Sequence, residues 1–468
     1  MNLRLSDKTQ LNLFLLIIAL IIFKPSPGMI FGGGIVNLIV LGVEFIAGIV
    51  LILLIRSTTQ YPNTLMEVVK DNRKDYVSIF ILLTIVSLFV SNTWGMMKSP
   101  KTSSLVDYIE AYRFVMYLIF YLAAKYVTMP SLKKLYKPAF IMILLVEVIG
   151  IMQFFNILNF NNHIGLLYIL SERHYEMILK IHRIPSTFFN PNLYGTFLVI
   201  SAAMVIGYMT IKGRITWKPS LLLFTIFLSV YFTTSRTAVL TIIGILIYWT
   251  ILNTFVVSKI SFKRFASSVM TLAIFLLIGS VLVPQIRYLD YASKQVTSDH
   301  EEEEVPQEED ADQEEASPEQ QKKKQNNVVR KVFKKLESVS SFQKRFEFWE
   351  KNFEKFMDSP VLGNGLMKNS FISFADNQYL YVLARYGLVG FIIYAVFYVS
   401  AFFKTLFSLR SKTLSPEKKS LALAINLSIA GFAFAGLTSE ALFNLQTIVI
   451  LFVLFGLLYN RTLHNKFE

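Results

Sequence analysis

Residues 29–55 read MIFGGGIVNLIVLGVEFIAGIVLILLI, an apolar run with one charged residue, Glu44. About 20 apolar residues in a helix cross the hydrocarbon core of a bilayer, so this run predicts a transmembrane helix. Similar runs recur along the 468-residue chain, which is 54% hydrophobic. We therefore predict an all-α fold, a polytopic transmembrane helical bundle of about 12 spans.

The apolar segments divide the chain into two groups of spans, residues 1–284 and 377–468. The first apolar segment follows Arg4 and Lys8. It is not followed by a small-residue cleavage site, so we expect a retained helix rather than a signal peptide. The predicted spans lie near 9–23, 29–55, 76–95, 105–124, 138–156, 191–210, 218–233, 236–257, 265–284, 377–403, 420–438 and 443–460. Two connections are too long to be turns, at about 157–190 and 285–376.

The basic residues indicate an orientation. Lys and Arg concentrate in the short segments on one side of the predicted spans, and short cytoplasmic segments are typically enriched in these residues. Both termini are therefore predicted to be cytoplasmic, with the two long connections on the outer face. The net charge of +14 is then a topology signal with secondary contact to anionic lipid, and we expect no nucleic-acid partner. The clusters include Arg56, Lys70, Arg73 and Lys74; Lys133, Lys134 and Lys137; Lys259, Lys263 and Arg264; and Lys404, Arg410, Lys412, Lys418 and Lys419.

The composition disfavours metal and thiol chemistry. The chain has no cysteine, which excludes disulfides and thiolate metal sites. Its five histidines show none of the spacings typical of catalytic metal sites. We expect neither a metal nor a cofactor.

The connection 285–376 has two parts. Residues 299–324 form a low-complexity charged insert, expected to be disordered. Its Asp310-Ala311-Asp312 resembles a metal signature that is expected by chance in an acidic run. Residues 341–357 predict an amphipathic helix, because aromatic residues recur at helical spacing. This helix either packs on the spans and headgroups or also roofs an active site, presenting Arg345 at its apolar edge.

Three polar motifs precede helices that descend from the predicted outer face. They are residues 182–192 (HRIPSTFFNPN), 233–236 (TTSR) and 376–380 (DNQYL). Each alone is consistent with helix capping at a membrane interface. Together they place helix N-termini beside arginines, an arrangement that binds phosphate groups. The sequence therefore predicts a polyanion ligand at the outer leaflet.

Two arginines lie inside predicted spans, where a charge usually faces a bundle interior or a watery cavity. Arg113 is expected to pair with Glu110 or Asp107. Arg385 has no acid nearby in sequence and is predicted to line a cavity that descends from the outer face.

An ordered set of motifs between about 180 and 400 resembles the O-antigen ligase and Wzy-type polysaccharide polymerase family, bacterial integral membrane glycosyltransferases. Where ligases of that family usually have histidine, this chain has Asp376, and this departure favours a polymerase. The motifs are Arg183 with residues 189–192 (FNPN), Ser235-Arg236, residues 345–349 (RFEFW), 360–365 (PVLGNG), 376–380 (DNQYL) and 387–390 (GLVG).

The resemblance implies a site and a substrate. The donor would be a glycan on undecaprenyl pyrophosphate at the outer face of the bacterial cytoplasmic membrane, and the acceptor a sugar hydroxyl of another lipid-linked repeat unit. The product would be capsule, exopolysaccharide or O-antigen-like polymer, with a flippase and a chain-length regulator as protein partners. Asp376 is the candidate base, and Arg183, Arg236 and Arg345 are assigned to the pyrophosphate. The other candidate binding residues are His182, Asn190, Ser235, Asn377, Tyr379 and Arg385.

Two alternatives remain open. A ligase would transfer finished polymer from the lipid to a wall or lipid acceptor. A flippase, which is a transporter, needs polar groups along the whole path between the faces, whereas here the candidate groups gather at one face.

Overall fold

The fold is helical throughout the part of the chain that the computed structural model describes: residues 5–58, 70, 72–100, 105–129, 131–212, 216–256, 262–282, 340–367, 375–440, 444–460 and 462. The α-helices there are α1 (Asp7–Ile22), α2 (Gly28–Phe31), α3 (Gly33–Ser57), α4 (Tyr76–Lys98), α5 (Ala111–Tyr126), α6 (Lys133–Phe155), α7 (Glu172–Ile181), α8 (Pro191–Lys212), α9 (Trp217–Phe232), α10 (Arg236–Phe255), α11 (Phe262–Leu282), α12 (Ser340–Asp358), α13 (Gln378–Arg410), α14 (Pro416–Ala435) and α15 (Leu445–Leu458). Short 3-10 helices span Leu105–Glu110, Ile157–Asn162 and Ile164–Tyr168.

Helices lie at all the predicted span positions. Among the described residues, 8 helices are long and apolar enough to cross a membrane, and α9 and α15 are shorter apolar helices. The predicted spans 9–23 and 105–124 correspond to α1 and α5, which have 16 residues each. The predicted span 29–55 is divided into the short helix α2 and the long helix α3. The division lies at Gly32, whose φ of 78° is not helical. The prediction of an all-α polytopic bundle is confirmed.

Three helices, α8, α14 and α15, form the buried centre of the bundle, and every residue of α15 is buried. In an 18-residue apolar stretch of α8 and of α14, 78% of the residues are buried inside the protein, whereas the figure for α11 is 22%. α14 packs against α8, α10 and α13, and α15 packs against α5. Because α14 lies among the helices that follow the three polar motifs, its C-terminal end is close to all of them.

Ion pairs neutralise two buried acids inside the bundle. Arg113 pairs with Glu110, which confirms the pairing predicted for it. Glu44, the one charged residue of the run 29–55, pairs with Lys24 between α1 and α2. The second pair was not predicted, because Lys24 lies outside the apolar runs. A buried charge is tolerated when it is paired, so both acids are explained structurally.

The two long connections contain helices that pack on the bundle. α7 and two 3-10 helices belong to the connection 157–190. This connection is joined to the segment before α3 by a hydrogen bond of 2.7 Å that Ser26 N donates to Leu167 O. In the connection 285–376, α12 lies at the predicted position 341–357. The predicted insert 299–324 lies outside the described residues.

Candidate functional site

The three polar motifs meet at one end of the bundle, around residues 436–440. This segment, Gly436–Glu440, follows α14 and is called the hub segment here. The Oγ1 atoms of Thr237 and Thr438 are 2.7 Å apart, which ties the start of α10 to the hub segment. The start of α13 is tied to it by Gln378 N, which donates to Gly436 O at 2.7 Å.

The start of α8 joins the same cluster. Asn192, Ser235 and Ser439 line a common cavity beside α14. The N-termini of α8, α10 and α13 therefore converge, as the prediction of one shared face requires. The hub segment was not singled out from the sequence, because its residues become significant only through contacts with distant parts of the chain.

Side-chain caps explain why the three helices begin where they do. Asn190 Oδ1 accepts a hydrogen bond from Asn192 N at 2.8 Å, and Ser235 Oγ accepts one from Ala238 N at 3.3 Å. Asn377 Oδ1 accepts from the backbone N–H groups of Tyr379 and Leu380 at 2.9 and 3.1 Å. Such caps satisfy amides that have no partner within the helix.

Asp376 sits at the mouth of this convergence in an unusual backbone conformation. Its φ is 47°, in the left-handed region that aspartate tolerates better than most residues. Glu440 holds this conformation: its carboxylate accepts hydrogen bonds from the amide of Ala375 and, at 3.2 Å, from the amide of Asp376. Asp376 is thereby fixed by its backbone, while its carboxylate remains 45% exposed.

Arg345 on α12 faces this carboxylate. Its Nε lies 3.7 Å from Asp376 Oδ2, and the arginine side chain is 29% exposed. Trp349, one turn further along α12, donates from Nε1 to Asp376 O at 3.4 Å. The amphipathic helix thus lies over the start of α13, with Arg345 directed at Asp376, while two of its aromatic residues, Phe346 and Phe353, are exposed.

Opposing effects set the acidity of Asp376. Burial raises the pKa of its carboxyl above the ordinary value, and the positive charge of Arg345 opposes this shift. Burial also raises the pKa of Glu440, against the charge of Arg385 and the two amide hydrogen bonds. A carboxylate with a raised pKa is a better proton acceptor than an ordinary one, which is useful to a general base.

Arg385 lies beneath this pair and is only 1% exposed. Its Nη1 donates to Asn352 Oδ1 at 3.2 Å, and its guanidinium carbon lies 3.7 Å from the centroid of the Tyr381 ring. Arg385 therefore joins α12 to α13. The cavity predicted to run past it remains a prediction.

A break in α13 lets the preceding loop bond to the helix backbone. Gly387 has a φ of 63°, which interrupts the helix inside a predicted span. Asn364 N and Gly365 N donate to the carbonyls of Ala384 and Arg385 at 3.1 and 3.0 Å. Leu388 N in turn donates to Pro360 O at 2.8 Å. These contacts, called the backbone clasp here, satisfy groups that the break would otherwise leave unpaired in an apolar setting.

Two glycines make the clasp possible. Gly363 has a φ of 75°, and a Cβ there would lie 2.1 Å from Arg385 O. A Cβ on Gly387 would lie 2.3 Å from Val361 O. Both positions therefore require glycine for conformation and for space, which explains the predicted motifs 360–365 and 387–390.

Arg183 and Arg236 lie at the starts of the other two converging helices. Arg183 Nη2 donates to Asn192 Oδ1 at 3.0 Å, and Arg236 is exposed at the first position of α10. Burial, followed by the charges of Arg173 and Arg183, lowers the pKa of His174.

His182 and Tyr379 are engaged with protein groups. The His182 ring lies 5.6 Å from the Phe154 ring, and its φ of 52° ends α7. Tyr379 Oη donates to Ala433 O at 2.6 Å. The structure thus places both beside the site without assigning either a ligand.

No group of three His, Asp or Glu residues arranged for metal binding occurs among the residues described. The chemistry that these residues support is proton acceptance by a carboxylate beside cationic side chains. Together with the fold, this describes an integral membrane protein in which an acidic side chain and basic side chains gather at one end of the bundle.

Residues 221–395 match the family model described as O-antigen ligase. The match covers less than half of the chain; it supports the family resemblance seen in the motifs and, in general terms, a membrane enzyme of the glycosyltransferase type. It runs from α9 into α13 and includes Arg236, Arg345 and Asp376, whereas Arg183 and Glu440 lie outside it. No curated protein matches the chain.

Proposed function

We propose that the protein polymerises lipid-linked oligosaccharide repeat units at the outer face of the bacterial cytoplasmic membrane. The observation that carries this proposal is the Asp376–Arg345 pair, 3.7 Å apart, at the convergence of three helix N-termini. A glycosyl transfer of this kind needs one group to accept a proton and others to receive negative charge, and this end of the bundle offers both.

The reaction is a displacement at the anomeric carbon of the donor. The acceptor hydroxyl attacks that carbon, and the bond from the carbon to the undecaprenyl pyrophosphate oxygen breaks. The hydroxyl proton passes to Asp376, and the electron pair of the broken bond leaves with the pyrophosphate. A positioned general base contributes about 10²–10⁴-fold to such a step.

Cationic groups stabilise the pyrophosphate as it leaves. Arg236 and Arg183 stand at the starts of α10 and α8, where the positive ends of the helix dipoles add to their charge. Arg345 faces Asp376 and is proposed to contact the pyrophosphate as well. Positive groups held in place before the reaction lower the barrier, because they need no reorganisation as charge develops.

Asp376 acts as the base because its position and acidity both suit the role. Its carboxylate is partly exposed and can reach an acceptor, while its backbone is held by Glu440. Burial raises its pKa towards the range in which a carboxylate accepts protons effectively. Asn377 and Tyr379 follow it at the start of α13 and are proposed to border the sugar.

The orientation of the protein follows from its basic residues. With both termini cytoplasmic, the ends of α8, α13 and α15 carrying Lys212, Arg410 and the C-terminus face inward. The hub segment and Asp376 then face outward, where a flipped lipid-linked repeat unit is presented. A flippase and a chain-length regulator are proposed as partners on this basis.

A ligase is the second candidate, because the matched family model carries that description. It would use the same donor chemistry and differ only in its acceptor, a wall or lipid molecule instead of another repeat unit. Asp376, in the place where ligases resembling this chain usually have histidine, favours the polymerase.

The test is the length and location of polysaccharide in a deletion strain complemented with wild type, Asp376→Ala or Asp358→Ala. Asp358 is an exposed acid that pairs with Lys355, so its variant is the matched control. We expect deletion and Asp376→Ala to leave single repeat units on the lipid, and Asp358→Ala to restore long polymer.

Long polymer that stays on the lipid and is missing from the envelope in the deletion strain would identify a ligase. Repeat units that accumulate on the cytoplasmic face would identify a carrier. Full-length polymer in an Asp376→Ala strain with normal membrane levels would exclude Asp376 as the base.

A further inference from the structure

A large cavity lies at the opposite end of the bundle from the hub segment. Its volume is about 1020 Å³, and it lies between the starts of α6, α9 and α14 and the end of α8. α14 has 20 residues, and at 1.5 Å per residue it separates the cavity from the hub segment by about 30 Å. The cavity is therefore independent of the proposed glycosyl-transfer site.

Basic and aromatic side chains form the rim of this cavity. Lys137, Lys212 and Lys218 all line it and are exposed. Lys212 Nζ donates to the hydroxyl of Tyr208 at 2.8 Å. Lys218 Nζ lies 5.5 Å from the centroid of the Trp217 ring. One acid, Glu417, also lines the cavity, so the lining keeps an excess of positive charge.

The deeper wall is apolar. It is formed by Phe140, Ile141, Leu144, Leu221 and Leu222. Leu221 is 53% exposed, and Ile141 and Leu144 are exposed as well, on helices of the membrane-spanning bundle. The cavity is therefore bordered by side chains that face hydrocarbon, with the lysines at its polar end.

Lysines at the rim and apolar side chains along the deeper wall suit an amphiphilic ligand, which has a charged head and an apolar tail. Aromatic residues with an apolar body and a polar tip concentrate at the level of lipid headgroups. Lysines near the membrane surface attract anionic headgroups, and an apolar wall beside them accommodates acyl chains. A small soluble anion would leave most of the apolar wall without a partner.

We infer that this cavity binds an anionic phospholipid, with its phosphate among Lys137, Lys212 and Lys218. Its acyl chains lie along Phe140, Leu144 and Leu221. The inference does not depend on the proposed glycosyl transfer, because no residue of the cavity belongs to that site.

Trp217 reports on the occupant directly, because it lines the cavity. The experiment places the purified full chain in phosphatidylcholine vesicles that contain a brominated lipid, which quenches nearby tryptophan. The Trp217 signal is the difference between wild type and Trp217→Phe. We expect brominated phosphatidylglycerol to quench this signal at an at least tenfold lower lipid fraction than brominated phosphatidylcholine.

Variants that remove charge test whether the preference for phosphatidylglycerol arises in this cavity. The triple variant Lys137→Gln, Lys212→Gln, Lys218→Gln should lose the preference for phosphatidylglycerol. The matched control, Lys8→Gln, Arg410→Gln, Lys412→Gln, removes the same charge at the same end of the bundle and should keep it. A single variant controls for misfolding of the triple variant: Lys218→Gln alone should reduce the preference several-fold while the melting temperature stays unchanged.

Three outcomes would overturn the inference. Equal quenching by the two brominated lipids would show ordinary boundary lipid only. A full preference in the triple variant would place the anion site elsewhere. Release of the quenching by millimolar inorganic phosphate would identify a soluble anion as the occupant.

Discussion

The carboxylate of Glu440 accepts a hydrogen bond from the backbone amide of Asp376 at 3.2 Å, although α13 and α14 separate the two residues in the sequence. Glu440 also accepts from the amide of Ala375. The acid at the end of α14 therefore fixes the left-handed backbone from which the Asp376 carboxylate projects. This makes Glu440 a positioning residue for the proposed base.

Replacing Glu440 tests this positioning role. Glu440→Leu leaves two amides without their side-chain acceptor, a loss of about 1–3 kcal/mol for each buried group. We expect the rate of polymer formation to fall at least tenfold. Glu440→Gln keeps an acceptor oxygen and should retain most of the rate. The measurement is polymer formation by purified variants, with exposed Glu354→Leu on α12 as the control; an inactive Gln variant would instead indicate that the charge itself is needed.

Arg345 should set the pH range of activity. The base acts when deprotonated, so the rate is lost as pH falls through the pKa of Asp376. The charge of Arg345 lowers that pKa against the effect of burial. Arg345→Gln therefore raises the pKa and should move the acid limb of the rate profile to higher pH. The profile is compared with that of Lys355→Gln, whose lysine pairs with Asp358 on the same helix.

An unchanged acid limb in Arg345→Gln would show that Asp376 is not the titrating group. The position of the limb is the decisive quantity, since loss of a cation near the donor also lowers the maximal rate.

Arg236 should matter for chemistry and little for folding. It is exposed at the first position of α10, and substitutions at such sites usually change stability by less than about 0.5 kcal/mol. We expect Arg236→Ala to reach the membrane at normal levels and to slow polymer formation by about 10²-fold, the usual effect of removing one group that stabilises developing charge. Arg236→Lys should recover part of the rate. Full-length polymer from Arg236→Ala would contradict the proposed role in holding pyrophosphate.

Gly363 should be essential for stability. Alanine there combines the strain of a φ of 75° with a contact of 2.1 Å to Arg385 O, at a cost of at least about 2 kcal/mol. The melting temperature of Gly363→Ala in detergent should fall by several degrees. Gly42→Ala in α3 is the control, because its Cβ meets nothing within 4 Å. Equal melting temperatures would mean that the backbone clasp contributes little to stability.

The spans and the helix starts could be predicted from the sequence because both depend on local composition. The lengths of the apolar runs predicted α3 and α10. The polar residues Ser235 and Asn377 cap the first turns of α10 and α13, as expected. The helix predicted for residues 341–357 was also found, as α12, because aromatic residues recur there at helical spacing.

The hub segment and the backbone clasp could not be predicted in the same way. Glu440 is an unremarkable acid in a short connection until its contacts with Ala375 and Asp376 are known. Thr438, Ser439 and Glu440 form a polar group at the predicted outer face, and this was the available signal. The break at Gly387 depends on carbonyls that a distant loop must satisfy, so the motif alone does not reveal it.

The backbone clasp has a consequence for which residues of this chain can change. Its bonds join peptide groups of residues 360–365 to peptide groups around Gly387, and side chains such as Val361 and Leu388 take part only through their backbones. Substitutions of those two side chains therefore leave the peptide bonds of the clasp in place, provided that the glycines persist and that Asn364, whose Nδ2 donates to Ala384 O at 3.1 Å, is kept. The position of α12 over the start of α13 thus depends on few side-chain identities within the clasp.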